Sequence, residues 1–298
     1  MVTGRGNMAF VGVDAIVAGG NLPDRTPSRT AAGVAWLRAA HQVVDAEPRI
    51  LGDPIAPLLL GDAGRRALQT RRAELFTPGA LALRARVLLR SRYAEDELAD
   101  AVGRGLLQFV ILGAGLDTFA YRQPAWAGSL RIFEVDQPAS QLTKRNRLAD
   151  AGLVIPANLT FCAIDFETEP LLDGLIRSGV APNDPTFFSW LGVSMYLTRD
   201  AVGAVFRAVG SFPPSTELVF TFAQPQHSDG AGSVADRAAE LGEPWLSYFE
   251  PAELEQELHD AGFSAVRFVT AVDAARYFAG RTDLLAAPRR VSIATATV

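Results

Sequence analysis

Hydrophobic positions follow one period in the first third of the chain and another after it. Thr30 to Val44 carries Val34, Leu37, Ala40, His41 and Val44 at helical spacing, and Ser28 or Thr30 is placed to cap its start. Asp53-Pro54 opens a second, short helix running to Leu60, which Gly61 ends. Leu81 to Val102 is long and amphipathic, one helix or two, with Arg, Glu and Asp on its polar face. Then short, continuous apolar runs begin: Gln108 to Leu112, Leu130 to Val135, Leu159 to Ile164, Thr186 to Trp190, and Leu218 to Phe222. Parallel strands read this way because helices cover both of their faces. Ala139 to Ala151, Leu171 to Ser178 and Arg199 to Val209 separate them as helical or loop material. Two more strand-like runs, Ala265 to Ala271 and Val291 to Val298, close the chain.

This alternation predicts an α/β fold: a Rossmann-like, seven-stranded, mostly parallel sheet with helices on both faces. Residues 1–104 are expected to form a leader and helical cap. Residues 105–298 are expected to form the core, in one structural unit with the cap. Residues 223–250 hold Pro225, Gly230, Gly232, Gly242 and Pro244, poor material for a strand or core helix, and are expected to form a lid over the sheet's carboxyl edge. Ala9 to Ala18 is apolar but too short to span a membrane, and reads as a leader or lid segment.

Composition narrows the function classes. With 49% hydrophobic and 20% charged residues the chain is that of a globular protein. A net charge of −5, with no dense Lys/Arg run, argues against nucleic acid. The pair Arg289-Arg290 reads as a solvated strand start. A single cysteine, Cys162, permits no disulfide within the chain and makes a cytoplasmic setting the default. His41, His227 and His259 have no metal-ligand spacing, so no metal is expected, and no membrane partner either.

The candidate chemistry sits at strand ends. Gly113-Ala114-Gly115 follows the first strand, where missing Cβ atoms let backbone approach a ligand. Asp136 ends the second strand, 21 positions past Gly115, where a Rossmann fold bonds a ribose diol. It is also placed to cap the helix that Pro138 begins; Glu134, inside the strand, is the weaker ribose ligand. Asp165, with Phe166 after it, ends the third strand, where a carboxylate accepts from an adenine amino group or caps a turn. A nicotinamide dinucleotide would want a third glycine where Thr118 stands. Its absence, with Asp117 beside it, favours a cofactor with a positive amino-acid end. A nicotinamide oxidoreductase stays open as an alternative at this stage.

Five segments in order carry a resemblance: Arg90-Ser91-Arg92-Tyr93-Ala94-Glu95-Asp96; Val110 to Thr118 with Tyr121-Arg122; Phe133-Glu134-Val135-Asp136-Gln137-Pro138 with Lys144; Asp165-Phe166; and Trp190-Leu191-Gly192-Val193-Ser194-Met195-Tyr196-Leu197. Together they make residues 30–297 resemble the bacterial branch of the leucine carboxyl methyltransferase family. The resemblance implies the class I methyltransferase sheet and the cofactor S-adenosyl-L-methionine. It implies Arg90, with Arg92 as second candidate, on the cofactor's carboxylate. Gly113, Ala114 and Gly115 would lie under its methionine part, Asp136 on its ribose, and Asp165 and Phe166 at its adenine. The chain departs from the family at Phe119, where members often carry Arg, at Leu191, where some carry a cofactor-contacting Glu, and at Phe166, a common Leu. The implied acceptor is a carboxylate or hydroxyl of a small secondary metabolite. Tyr196 and His227 are the catalytic candidates, and Trp245, Tyr248 and Phe249 the candidates for an apolar acceptor pocket. A protein that binds the cofactor but has lost methyl transfer is the remaining alternative.

Overall fold

A computed structural model of the chain describes residues 29–225 and 234–298. His227 and the leader, Ala9 to Ala18, lie outside the described residues, as does the middle of the expected lid. Among the described residues four α-helices come first: α1 (Arg29–Val44), α2 (Ala56–Leu59), α3 (Gly61–Thr70) and α4 (Pro78–Gly103). Leu81 to Val102 is therefore part of one helix, started by Pro78 and by the Thr77 hydroxyl, which accepts from the Ala80 N–H. The spacing of apolar residues misses α3, because it buries only Gly64, Ala67 and Leu68. Gly61, at φ +66°, ends α2 but also opens α3.

Strands and helices then alternate: β1 (Gln108–Leu112), β2 (Arg131–Asp136), α5 (Pro138–Asp150), β3 (Leu159–Ala163), α6 (Leu171–Arg177), β4 (Thr186–Trp190), α7 (Arg199–Gly210) and β5 (Glu217–Thr221). The remaining elements are α8 (Val234–Glu240), α9 (Pro251–Asp260), β6 (Ala265–Phe268), α10 (Ala271–Ala275) and β7 (Ile293–Thr297). The expected strand to Ala271 stops early because Thr270 and Asp273 form a reciprocal capping box that starts α10 instead.

The sheet has seven strands in the order β3-β2-β1-β4-β5-β7-β6. β7 is antiparallel to both neighbours, and the other pairings are parallel. Registers are set by apolar layers, with Val110 opposite both Phe133 and Phe188, and Phe188 opposite Leu218. β1, β4 and β5 are buried along their whole length, whereas the edge strands β3 and β6 are exposed at two positions each. One face of the sheet packs on α4 through Phe109, Ile111, Ile132 and Phe187 against Leu88, Tyr93 and Leu98. The other packs on α7 and α9 through Phe188, Trp190, Phe220, Val205, Phe206 and Leu254. Strand order reverses between the parallel neighbours β1 and β4, which opens a crevice at their carboxyl ends.

Of the expected lid, residues 245–249 are pinned down. The Leu246 N–H donates to the Met195 carbonyl at 2.7 Å, the Phe249 N–H to the Ala223 carbonyl at 2.8 Å, and the Ser247 hydroxyl to the Leu197 carbonyl. These bonds lay the stretch as a strap across the ends of β4 and β5.

Candidate active site

The glycine turn leaves β1 with Gly113 at φ +64° and Gly115 at φ +48°. Both values suit glycine, and a Cβ on Gly113 would collide with the Val193 side chain that follows β4. The Ala114 N–H donates to the Val135 carbonyl, which fixes the turn against β2. Ala31 of α1 lies over Gly115, 3.3 Å from where a Cβ would stand. The backbone of the turn is thus walled by α1 on one side and by the β4 exit on the other.

Asp136 turns toward this loop. Its Oδ2 accepts from the Gly115 N–H at 2.6 Å and its Oδ1 from the Gln137 N–H at 2.8 Å. It does not cap α5, whose N-cap residue Gln137 supplies no side-chain hydrogen bond. Burial raises the Asp136 pKa, and the two backbone donors oppose the shift. A carboxylate has about four lone-pair sites, so two remain for a ligand. Glu134 is spent elsewhere: its Oε2 lies 2.5 Å from Lys144 Nζ, off the alignment of a hydrogen bond, and both side chains are buried. The β3 end lies beside β2, joined by the Ile164 N–H to the Asp136 carbonyl at 3.0 Å. There Asp165 Oδ1 accepts from the Glu167 N–H at 3.1 Å, and Phe166 is half-buried against the core. Gly113, Asp136 and Asp165 therefore share one carboxyl edge.

Thr118, in place of a third glycine, is fully buried, and its hydroxyl donates to Asp53 Oδ2 at 2.8 Å. Arg38 of α1 is buried next to it. It donates to the Leu116 carbonyl and lies 3.5 Å from Asp53 and 3.6 Å from Asp117. Arg122 joins the group by donating to Thr118 Oγ1 at 3.1 Å and lying 3.6 Å from Asp53, and it also pairs with Glu95. The sequence reading missed Arg38, although an arginine between Leu37 and Ala39 in an apolar helix was a usable signal. Phe119, at the family's Arg position, stacks edge-on against Phe109 with ring centroids 5.3 Å apart. Leu191 packs on the same core.

Arg90 faces the other side of the turn. Its guanidinium sits on Gly192, at φ +76°, where a Cβ would lie 2.5 Å from Nη1. Burial pulls its pKa down to about 10, with Tyr196 opposing and Arg38 adding to the shift, so it stays a cation at neutral pH. Among the described residues Arg90 makes no ion pair or hydrogen bond, whereas Arg84, on the same helix, is held by Asp45. A partly enclosed cation beside a glycine cradle fits a ligand carboxylate. Arg92, by contrast, is exposed and paired with Asp96 at 2.8 Å.

Arg90 and Gly192 also form the inner end of a cavity of about 1030 Å³. Its walls are α1, the first half of α4, the β4 and β5 exits, Trp245, and the stretch before β7. Tyr196 lines it, and burial raises its phenol's pKa. Trp245 Nε1 and Thr30 Oγ1 approach that phenol, but neither closes a well-aligned hydrogen bond. Of the aromatic candidates, Trp245 alone is in the wall. Tyr248 stacks behind it at 6.2 Å, and Phe249 is core, packed with Leu254 and Leu258 under the Arg199 guanidinium. Arg289 and Arg290, read from sequence as a solvated strand start, line the cavity's exposed edge. Among the described residues no helix is long and apolar enough to cross a membrane.

A family model described as "Leucine carboxyl methyltransferase" matches residues 31–210. "Putative S-adenosyl-L-methionine-dependent methyltransferase YktD" of Bacillus subtilis is 38% identical over 208 residues, covering 67% of this chain and 68% of that one. A relative of the same description from Mycobacterium marinum is 33% identical over 162 residues, 54% of this chain and about half (51%) of its own length. In fold, a "putative methyltransferase" structure from Thermobifida fusca superposes with a TM-score of 0.52 at 21% identity, covering 81% of this chain and 91% of that one. Sheet, glycine turn and sequence relatives together define an S-adenosyl-L-methionine-dependent methyltransferase. The chain belongs to the leucine carboxyl methyltransferase family.

Proposed function

We propose that this methyltransferase makes a methyl ester on a carboxylate of a small, largely apolar metabolite. The observation that carries the reading is the cavity beside Arg90 and Gly192, whose described lining contains Tyr196 and Trp245 but no Asp, Glu or His. The residues present suit the cofactor. Asp136 would hold its ribose, Arg90 its carboxylate, the Gly113–Gly115 backbone its methionine part, and Asp165 with Phe166 its adenine. When bound, the cofactor supplies an electrophilic methyl group.

The acceptor then needs no base from the protein if its oxygen is already anionic. A carboxylate is ionised at neutral pH, whereas a phenol or alcohol requires proton removal. Tyr196 keeps its proton because burial disfavours the phenolate, so it serves as a hydrogen-bond donor that orients the acceptor. Trp245 supplies apolar contact, and the strap at 245–249 keeps water out of the inner end. His227 would be the base for a hydroxyl acceptor, and the ester reading leaves it without that role.

The test is transfer of labelled methyl from S-adenosyl-L-methionine to matched panels of carboxylic acids, phenols and alcohols. Product label released by mild alkali, at a rate flat from about pH 6 to 9, is expected of ester formation. Alkali-stable label, or a rate rising with a histidine-like pKa, would overturn it. Trp245→Ala is expected to raise the acceptor KM and leave S-adenosylhomocysteine affinity unchanged.

A further inference from the structure

The far end of the cavity has a charge pattern that the methylated group does not require. Arg86 lies one turn before Arg90 on α4, about 6 Å along the axis, and both line the same wall. Arg289 and Arg290 come from the opposite wall, in the stretch leading into β7. Among the described residues none of Arg86, Arg289 and Arg290 makes an ion pair, although most arginines elsewhere are paired, as Arg104 is with Glu217, Arg199 with Glu253 and Arg267 with Glu97. Arg86 and Arg290 are close enough that Arg290, after burial, lowers the Arg86 pKa. Like charges left facing each other across a mouth raise the free energy of the empty protein and are relieved by an anion between them. Leu284, beside them in the cavity wall, is 66% exposed, an apolar surface adjoining the cations.

We infer that Arg86, Arg289 and Arg290 form an anion subsite at the cavity mouth, selecting acceptors that carry a second acid group, carboxylate or phosphate, at the end remote from the methylated oxygen. This rests on the acceptor cavity proposed above. The inner cation, Arg90, is assigned to the cofactor, so it does not serve this group. The apolar middle of the cavity, between Val34 and Leu37 on α1 and Ala287 opposite, fits the body that joins the two ends. The acceptor class is thus an amphipathic diacid, with a reacting carboxylate inside and an anion outside.

The test uses two fluorescent probes that share an apolar body and differ by one anion: 8-anilinonaphthalene-1-sulfonate and neutral N-phenyl-1-naphthylamine. Both are titrated into protein saturated with S-adenosylhomocysteine. The sulfonate is expected to bind at least tenfold tighter, and Arg86→Gln with Arg290→Gln is expected to erase that preference while leaving the neutral probe's affinity unchanged. Displacement by decanoate, decyl phosphate and decanol then separates carboxylate from phosphate, with decanol the weakest. Equal binding of the two probes, or a preference that survives the double substitution, would overturn the subsite. Calorimetry with S-adenosylhomocysteine runs beside it. Its failure to bind would sink the cofactor and acceptor reading itself, whereas binding without an anion preference sinks the subsite alone.

Discussion

Replacing Asp136 is the sharpest test of the cofactor cradle. Its carboxylate holds the Gly115 and Gln137 N–H groups at 2.6 and 2.8 Å and leaves lone pairs for a ribose diol. Hydrogen bonds from that diol to a charged acceptor are worth about 1.5–3 kcal/mol each net of water, and two on one carboxylate do not add fully. A net loss of roughly 2–3 kcal/mol is therefore expected for Asp136→Ala, or about thirty- to a hundred-and-fiftyfold in S-adenosylhomocysteine affinity. The same substitution strands two backbone donors, at about 1–3 kcal/mol each, so the melting temperature should fall too. Asp136→Asn separates the effects: its amide oxygen keeps one donor, but its NH2 group meets the other N–H and repels it. Titration calorimetry at 20 °C, with circular dichroism to confirm folding, reads affinity; thermal unfolding without ligand reads stability. A folded Asp136→Ala protein with wild-type affinity would refute the assignment. A Glu134→Ala protein that alone lost binding would show that the wrong acid had been chosen.

Gly192→Ala forces a Cβ to within 2.5 Å of the Arg90 guanidinium at a backbone φ of +76°, so it should displace Arg90 and weaken S-adenosylhomocysteine at least tenfold by calorimetry. Arg84→Met leaves Asp45 buried without its bidentate partner, bonds of 2.9 Å each, and should cost about 3–5 kcal/mol, or on the order of 10 °C in melting temperature. Burial pushes the Glu134 carboxyl up to about 7 against the pull of Lys144. A carboxyl raised in the folded state stabilises it fully below the unfolded pKa, and that contribution is lost as pH rises through the folded value. Relative to a Glu134→Leu/Lys144→Met protein, which has neither group, the wild type should therefore lose stability between about pH 4.5 and 7 and hold level above. A stability difference independent of pH across that window would contradict it.

Local patterning determined much of this protein. Continuous apolar runs marked β1, β2, β3, β4 and β5, because a strand covered on both faces has no polar side to show. Gly113 and Gly115 were readable because backbone that turns with positive φ needs glycine, and Asp136 because the second strand had to end beside that turn. Elements with few apolar residues, such as α3 and α8, left no such trace. The long-range side-chain partners also left none. That Asp136 faces Gly115 rather than its own helix, that Arg90 is free while Arg92 is paired, and that Phe249 is core while Trp245 lines the cavity depend on side-chain directions fixed by packing. Arg86 and Arg290 stand 204 positions apart and meet only because β7 inserts antiparallel between β5 and β6, bringing its lead-in across from α4. Periodicity records which face of an element is apolar; which distant face it meets is decided when the elements pack, because that partner is set by the whole sheet and not by neighbours in the chain.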